Sequence, residues 1–287
     1  MRLDIFVSQE KNISRSQALK YIREGKVLVN GEVQKKTGHS VTPADNIFIE
    51  TTLNTTESVV KHDISFEILA ETDDYIVINK PKGILTHSAS SSSCPDAVSV
   101  LLHQNIPLSY PHSSRPGVVH RLDKDTTGVL IFAKTENFHQ HLANQIQERT
   151  VEKWYEAFVV GNPQDGEIQG NIGRSSVNKT KQSIMSSGKE SVTRFYNEQY
   201  FPRFNISKLR IHLLTGRMHQ IRVHLSALGF PVLGDTVYGN EEWNQKFQLS
   251  SQCLHAKEYS FFNLQKKKIT ITAPLPEYFT LLLSSFV

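Results

Sequence analysis

Nine residues, His120-Arg121-Leu122-Asp123-Lys124-Asp125-Thr126-Thr127-Gly128, lie between two apolar segments, Gly117 to Val119 and Val129 to Ala133. A histidine, two basic groups and two carboxylates cannot enter an apolar interior unless each finds a partner, so this run has to leave the core as a loop. The flanking apolar residues stay inside, and glycine closes the turn. Ordinary surface loops share this composition, so the run is a candidate site whose weight depends on the rest of the chain.

At 287 residues the chain has room for roughly two domains at about 150 residues each. Hydrophobic residues make up 38%, enough for a sizeable core. There is no apolar run of about 18 residues and no charged-then-apolar leader at Met1-Arg2-Leu3-Asp4, so the expected location is the cytoplasm, without a membrane partner. Cys94 and Cys253 lie far apart and read as free thiols. Lys and Arg number 32 against 28 Asp and Glu, an excess that permits a polyanionic partner without requiring one.

The first fifty residues read as a helix followed by a hairpin. Ser14 with Gln17 has the spacing of a capping box, Ala18, Leu19 and Ile22 form an apolar face, and Gly25 is placed to stop the helix. Asn30-Gly31 between Val27-Leu28-Val29 and Glu32-Val33 is a hairpin turn signal. Arg15, Lys20, Arg23 and Lys26 collect on and just after the helix, a pattern that a solvated face explains as well as a binding face does. Thr51 to Val60 reads as a linker. Beyond it, Tyr75 to Ile78 is a buried strand ending in the turn Asn79-Lys80-Pro81-Lys82-Gly83, and Ser90 to Ser93 belong to a polar loop. Phe138, Leu142 and Ile146 mark a helix over 136–148. Lys153 to Gly161 is a strand with Tyr155, Ala157 and Val159 on one face. A loop-rich stretch with Lys179, Lys181 and Lys189 leads to a strand from Ile206 to Leu213. A helix with Ile221, Leu225 and Leu228 on its apolar face then stops at Gly229, and an alternating strand at Ile269 to Pro274 precedes a last short helix.

The twelve histidines do not form a metal site by spacing. His219 and His224 are five apart, about 140° around a helix, and cannot share an ion as an i, i+4 pair can. Asp123 and Asp125 are too close in one loop for two-carboxylate glycosidase chemistry. No glycine-rich phosphate loop is present, so neither a metal nor a nucleotide cofactor is expected. What remains is a single loop carboxylate held ionised by a cation, through Arg121 and Lys124 or through a buried arginine. Arg222, beside an apolar helix face, is the best candidate, with a structural salt bridge as its alternative.

Together these residues resemble the RluA-type pseudouridine synthases. His120-Arg-Leu-Asp-Lys-Asp-Thr-Thr-Gly128 is similar to that family's His-Arg-Leu-Asp-x-x-Thr-Ser-Gly signature. In the expected order stand Asn79-Lys-Pro-Lys-Gly83, the tyrosine motif Lys153 to Gly161, Gly188 to Thr193, and the arginine motif Leu214-Thr-Gly-Arg-Met-His-Gln-Ile-Arg222-Val-His-Leu with Gly229-Phe-Pro and Gly234-Asp-Thr-Val-Tyr-Gly239. Residues 1–55 resemble the small RNA-binding module shared by a ribosomal small-subunit protein and many RNA-modifying enzymes. Thr127 stands where the family usually has Ser, Met218 where a small or polar residue is commoner, and Phe262-Asn263 where a His-Pro pair is usual.

The resemblance implies an α+β protein: an RNA-binding module at 1–55, a linker at 56–64, and a catalytic domain at 65–287 on a large, mainly antiparallel mixed sheet with a central cleft. It implies an isomerase that needs no cofactor and no metal and acts on structured RNA, with large-subunit ribosomal RNA favoured. A transfer RNA target and a non-catalytic ribosome-assembly protein on the same scaffold are the alternatives, and no obligate protein partner is implied. Asp123 would be the nucleophile, attacking the ribose or the uracil. Tyr155 would stack on the base and could take a proton, and Arg222 would hold Asp123 ionised. Ile221 would line the base pocket, Arg121 would fill the space of the extruded uridine, and Arg15, Lys20, Arg23 and Lys26 would contact RNA. Asp125 is left a structural role.

Overall fold

The structure is a computed structural model that describes residues 1–10, 15–42, 45–49, 64–88, 94–110, 115–176, 178 and 181–286. Ser14 of the capping box, the linker Thr51 to Val60, the Ser90 to Ser93 run and Lys179 lie outside the described residues. The chain forms two compact units, Met1–Lys61 with Tyr110–Pro116, and His62–Ser109 with Gly117–Val287.

The first unit contains α1 (Leu3–Glu10), α2 (Arg15–Arg23), β1 (Val27–Val29), β2 (Glu32–Val33) and β3 (Ile47–Ile49), with the strands ordered β2-β1-β3. Asn30 and Gly31 both take positive φ, 55° and 86°, as a two-residue hairpin turn requires. Gly25, at φ 76°, ends α2. The expected helix and hairpin are present, but the sequence pattern does not predict α1 or β3. Eight residues of weak amphipathicity carry little periodic signal, and the pairing of β3 with β1 is non-local. Leu3, Val7, Ala18, Ile22, Val27, Val29, Val41 and Ile49 close the small core.

Beside that core the Asp4 carboxylate is fully buried, accepting from Arg2 Nε at 3.0 Å and from Arg15 Nε at 2.8 Å. Arg2 above all, and Arg15 with it, hold Asp4 down to about 2 against its burial. A carboxylate with a depressed native pKa stabilises the fold above the ordinary value near 3.8 and loses that contribution as pH falls through about 2. Amide protection factors in β1 of the full-length chain are therefore expected to decline between about pH 4 and pH 2, and Asp4→Asn to remove that pH dependence. An unchanged decline in the variant would assign the acid sensitivity to another group.

The second unit is built on one ten-stranded sheet. In chain order its elements are β4 (Glu67–Glu71), β5 (Tyr75–Lys80), α3 (Ala97–His103), β6 (Thr127–Ala133), α4 (Glu136–Gln147), β7 (Glu152–Val160), β8 (Gly166–Arg174), β9 (Gln182–Ile184), β10 (Lys189–Phe201), β11 (Ile206–Leu213), α5 (Gln220–Ala227), α6 (Glu241–Lys246), β12 (Leu254–Phe262), β13 (Lys268–Thr272) and α7 (Glu277–Phe286). The strands run β4-β5-β6-β12-β7-β11-β10-β8-β9, with β13 on β12. Among these strands only the β6–β12 pair is parallel, so the sheet is mixed and mainly antiparallel, on an α+β plan.

β6 is buried along its whole length because it is central and covered, so it reads as a continuous apolar run. It enters parallel to β12 through Gly128, whose φ is 108° and whose missing side chain matters: a Cβ there would stand 2.2 Å from the Ala256 carbonyl oxygen. α4 packs Phe138 and Leu142 into the main core with Val129 to Ala133, Tyr155, Ala157, Val159, Ile211, Ile221 and Leu225. On β7, Tyr155, Ala157 and Val159 are buried together on one face, as the alternation predicts. Phe158 turns the other way and packs with Phe201, Phe279 and Phe286 under α7.

Three expectations need correction. The Tyr75 strand continues through Asn79 to Lys80, because Lys80 pairs with Gly128 across the ladder. The loop-rich stretch before Ile206 contains β8, β9 and the thirteen-residue β10. Glycines and polar residues weaken its strand signal, and pairing with neighbours supplies what propensity does not. Leu228 is 41% exposed, outside the apolar face of α5.

Candidate active site

The nine-residue run is a loop tied to the scaffold along its length. His120 Nε2 accepts the Ile131 N–H of β6 at 2.9 Å, and burial, with Lys153 nearby, holds the imidazole neutral at about 3. Leu122 forms a reciprocal pair with Thr86: its N–H donates to the Thr86 hydroxyl and its carbonyl accepts from it, both at 3.0 Å. Lys80, fully buried, donates to the carbonyls of Lys124 and Ile84 at 2.8 Å and of Pro81 at 2.9 Å. Three acceptors match the three donors of an ammonium. Burial pulls Lys80 down to about 7, while Asp125 and Asp123 work to keep its charge. Thr126 N–H closes the turn onto the Asp123 carbonyl at 3.1 Å, and Thr127 Oγ1 meets His255 Nδ1 at 2.8 Å.

Asp123 is thus held at the tip of an anchored turn, partly exposed. Arg222, ninety-nine residues later and 5% exposed, donates from Nη1 to Asp123 Oδ2 at 3.0 Å. The rest of the guanidinium is engaged by Asp235, with Nε to Oδ2 at 2.6 Å and Nη2 to Oδ1 at 2.9 Å. Burial opposes the charge on Arg222, but Asp235 and then Asp123 more than offset it and raise its pKa above the ordinary value. Burial likewise opposes the Asp235 carboxylate, and Arg222 with the backbone N–H groups of Tyr238 and Val237 brings it below the ordinary value.

α5 is positioned by its own buried polar residues. Gln220 donates to the Val192 carbonyl at 3.0 Å and the Thr193 hydroxyl at 2.9 Å. His224 bonds Ser191 at 2.9 Å and Thr193 at 3.0 Å, so this histidine fastens the helix to β10. His219, at the helix start, sits with φ at 57°, its Nε2 4.0 Å from Asp123 Oδ1 and its Nδ1 2.9 Å from the Tyr238 hydroxyl.

Tyr155 is 4% exposed, its hydroxyl 2.5 Å from that of Tyr259, and burial raises both phenols above their ordinary values. Ile221 is buried in the same core as Tyr155, and Arg121 is exposed beside the turn. In the first unit Arg15 bonds Asp4, while Lys20 and Lys26 lie 3.6 and 3.0 Å from Glu24, and Arg23 is exposed.

The structure therefore brings Asp123 and Arg222 together in one ion-paired cluster. Sequence reasoning assigns no role to Asp235, Tyr238, His219, Lys80 or Tyr259. Asp235 and Tyr238 lie in the Gly234–Gly239 segment of the arginine motif, and a buried arginine needing a counter-charge is the signal that singles out Asp235. Tyr259 sits in an ordinary strand and carries no such signal.

Removing one member of a buried pair leaves an uncompensated charge, at a cost of about 3–5 kcal/mol. Asp235→Asn is expected to lower unfolding free energy in denaturant by about 3 kcal/mol, near the low end because Asp123 still faces Arg222. A loss below about 1 kcal/mol would show that solvent or another group replaces Asp235.

A family model described as RNA pseudouridylate synthase matches residues 74–227, and one described as S4 domain matches residues 1–47. The uncharacterized RNA pseudouridine synthase YlyB of Bacillus subtilis (strain 168) is 34% identical over 281 residues, covering 96% of this chain and 91% of that protein. Ribosomal large subunit pseudouridine synthase D of Vibrio cholerae is 35% identical over 289 residues, covering 96% and 88%. Among solved structures, human RNA pseudouridylate synthase domain containing 1 superposes with a TM-score of 0.60 at 23% identity, covering 77% of this chain and 94% of that one, a likeness of fold.

Proposed function

This chain belongs to the RNA pseudouridylate synthase family and carries an N-terminal S4 domain, and from that premise we propose that it modifies large-subunit ribosomal RNA with Asp123 as its nucleophile. The family's reaction is an isomerisation of uridine to pseudouridine, in which the ring detaches through nitrogen and reattaches through carbon. The observation that carries the assignment is the unequal engagement of the Asp123 carboxylate. Oδ2 accepts from Arg222 at 3.0 Å, while Oδ1 faces His219 at 4.0 Å. A carboxylate with one oxygen anchored and charged and the other available suits nucleophilic attack. Asp235, by engaging the remaining guanidinium edge, fixes the direction from which Arg222 approaches.

In this reading Tyr155 packs against the target base. A phenol is already protonated at neutral pH, and burial pushes this one further from the phenolate that proton abstraction would need, which favours stacking. Extrusion of a paired base costs a few kcal/mol, and stacking on an aromatic ring returns about 1–3 kcal/mol. Ile221 supports the base pocket, and Arg121, exposed beside Asp123, takes the space that the base leaves. Residues 1–55 are assigned to RNA binding, 56–64 to a linker and 65–287 to catalysis. Ribosomal RNA as the target is supported by relatives that are named as large-subunit enzymes.

Incubation with unmodified large-subunit ribosomal RNA, followed by carbodiimide-dependent primer extension, tests the proposal. Wild-type protein should produce discrete pseudouridine stops, and Asp123→Asn should reduce them by at least about 1000-fold while RNA affinity is retained. Stops that survive the substitution would remove Asp123 as nucleophile; stops found only with transfer RNA would move the substrate.

In the first unit, reversing two exposed charges with Lys20→Glu and Arg23→Glu should weaken RNA binding and reduce the slope of log K against log salt by about 2, one for each phosphate no longer neutralised. An unaltered slope would return the basic helix face to solvent.

A further inference from the structure

His219 is drawn into the site without a part in the reading above. It is a non-glycine residue in the left-handed region, φ 57° and ψ 19°, at the turn into α5. Histidine enters this region more readily than most residues, and here its ring is positioned by the corner it packs on. The Gln182 backbone N–H donates to the Tyr238 hydroxyl at 2.7 Å, and the same hydroxyl, 2.9 Å from His219 Nδ1, is placed to donate its own proton to that nitrogen. Lys181 secures the same corner by donating to the Val237 carbonyl at 2.7 Å, with its ammonium 5.9 Å from the Tyr238 ring centre. With Nδ1 accepting, the proton of a neutral imidazole resides on Nε2. Burial lowers the His219 pKa, with Asp123 acting against it, and Arg222, Asp235 and Arg121 also bear on the ring.

In that tautomer Nε2 carries the donor, and it faces Asp123 Oδ1 across 4.0 Å. That separation is too long for a direct hydrogen bond. It is the span that one oxygen bridges when it lies about 2.8 Å from each side. The bridging atom must accept from an N–H and donate to a carboxylate, which a hydroxyl or a water can do. A uridine in RNA has such a group in the right place. The base of a nucleoside projects from one face of the ribose and the 2′-hydroxyl lies on the other, so a carboxylate approaching C1′ opposite the base comes up beside the 2′-hydroxyl.

We propose that His219 and Asp123 Oδ1 together form a subsite for the 2′-hydroxyl of the target nucleotide, with His219 Nε2–H donating to it and the hydroxyl donating to one lone pair of Oδ1, the other lone pair staying free for attack on C1′. His219 is then a specificity-determining residue that makes the site select ribose over deoxyribose, through the one group that distinguishes the two sugars. The proposal rests on the reading of Asp123 as the nucleophile and adds to it that the attack is directed at the ribose.

The test uses the full-length protein and a ribosomal RNA fragment that it modifies, synthesised with either uridine or 2′-deoxyuridine at the modified position, under single-turnover conditions. The wild type should be slowed about 100-fold by the deoxy sugar, since two hydrogen bonds, one to a charged group, disappear. His219→Asn is the informative variant, because asparagine tolerates the left-handed conformation and can still meet Tyr238 but has no group at Nε2. It should be about 10-fold slower on the ribose substrate and should shrink the deoxy penalty to about 10-fold or less. His219→Gln, whose amide N–H reaches the Nε2 position, should recover part of the discrimination. An equal deoxy penalty in the wild type and both variants would overturn the subsite. Should a variant turn over too slowly to time, equilibrium binding of the two fragments supplies the same comparison, with the same expected convergence and the same overturning result. Activity surviving in Asp123→Asn would remove the nucleophile; equal sugar discrimination across the His219 series would remove only the subsite.

Discussion

Arg222 is a single cation divided between two carboxylates, and the geometry around Asp123 depends on that division. Its Nε and Nη2 edge is matched bidentately by the fully buried Asp235, which leaves Nη1 alone for Asp123. A buried guanidinium facing only the partly exposed Asp123 would be poorly compensated. With Asp235 beneath it the charge is supported from the protein side, and the proposed nucleophile needs to supply only a remainder. The arrangement gives Asp123 a cation without tying up both of its oxygens.

The same logic of local satisfaction runs through the loop that carries Asp123. A turn so polar is placed against a central strand; its backbone finds partners in Thr86, Lys80 and Thr126 rather than in a ladder, and its His120 side chain accepts the Ile131 N–H of that strand. Lys80 shows the principle most clearly: a fully buried ammonium is tolerated because three carbonyls surround it and two carboxylates contribute field. If Asp123 acts as proposed, a carboxylate on a tethered turn does not have to be ordered when substrate arrives, which is where such a site gains rate. On the opposite side, α5 reaches its position through Gln220 and His224, two buried polar side chains bonded to β10.

Much of this is legible in the chain itself. The polar run between apolar segments, the alternation at Tyr155, Ala157 and Val159, and the apolar spacing of α4 are short-range patterns that survive intact in the structure. The pairing of Asp123 with Arg222 is expected from motif resemblance and is observed at 3.0 Å. Less is legible where a residue's environment is assembled from distant elements. α1 is short and weakly amphipathic, β8 is rich in glycine and polar residues, and β3 exists through pairing with β1. Arg15 reads as one member of a basic helix face, yet its guanidinium bonds the buried Asp4 from a different helix.

By itself the amino-acid order determined the composition of the site, its loop character and the elements that flank it, because charge, glycine and apolar period act over a few residues. Only the tertiary structure decided which carboxylate shares Arg222, which phenol faces Tyr155 and which histidine faces Asp123. Those choices depend on how β6, β7, β12 and α5 are brought side by side across a ten-stranded sheet. Distances of a few ångströms between groups about a hundred residues apart are set by packing and strand register, which no local pattern records.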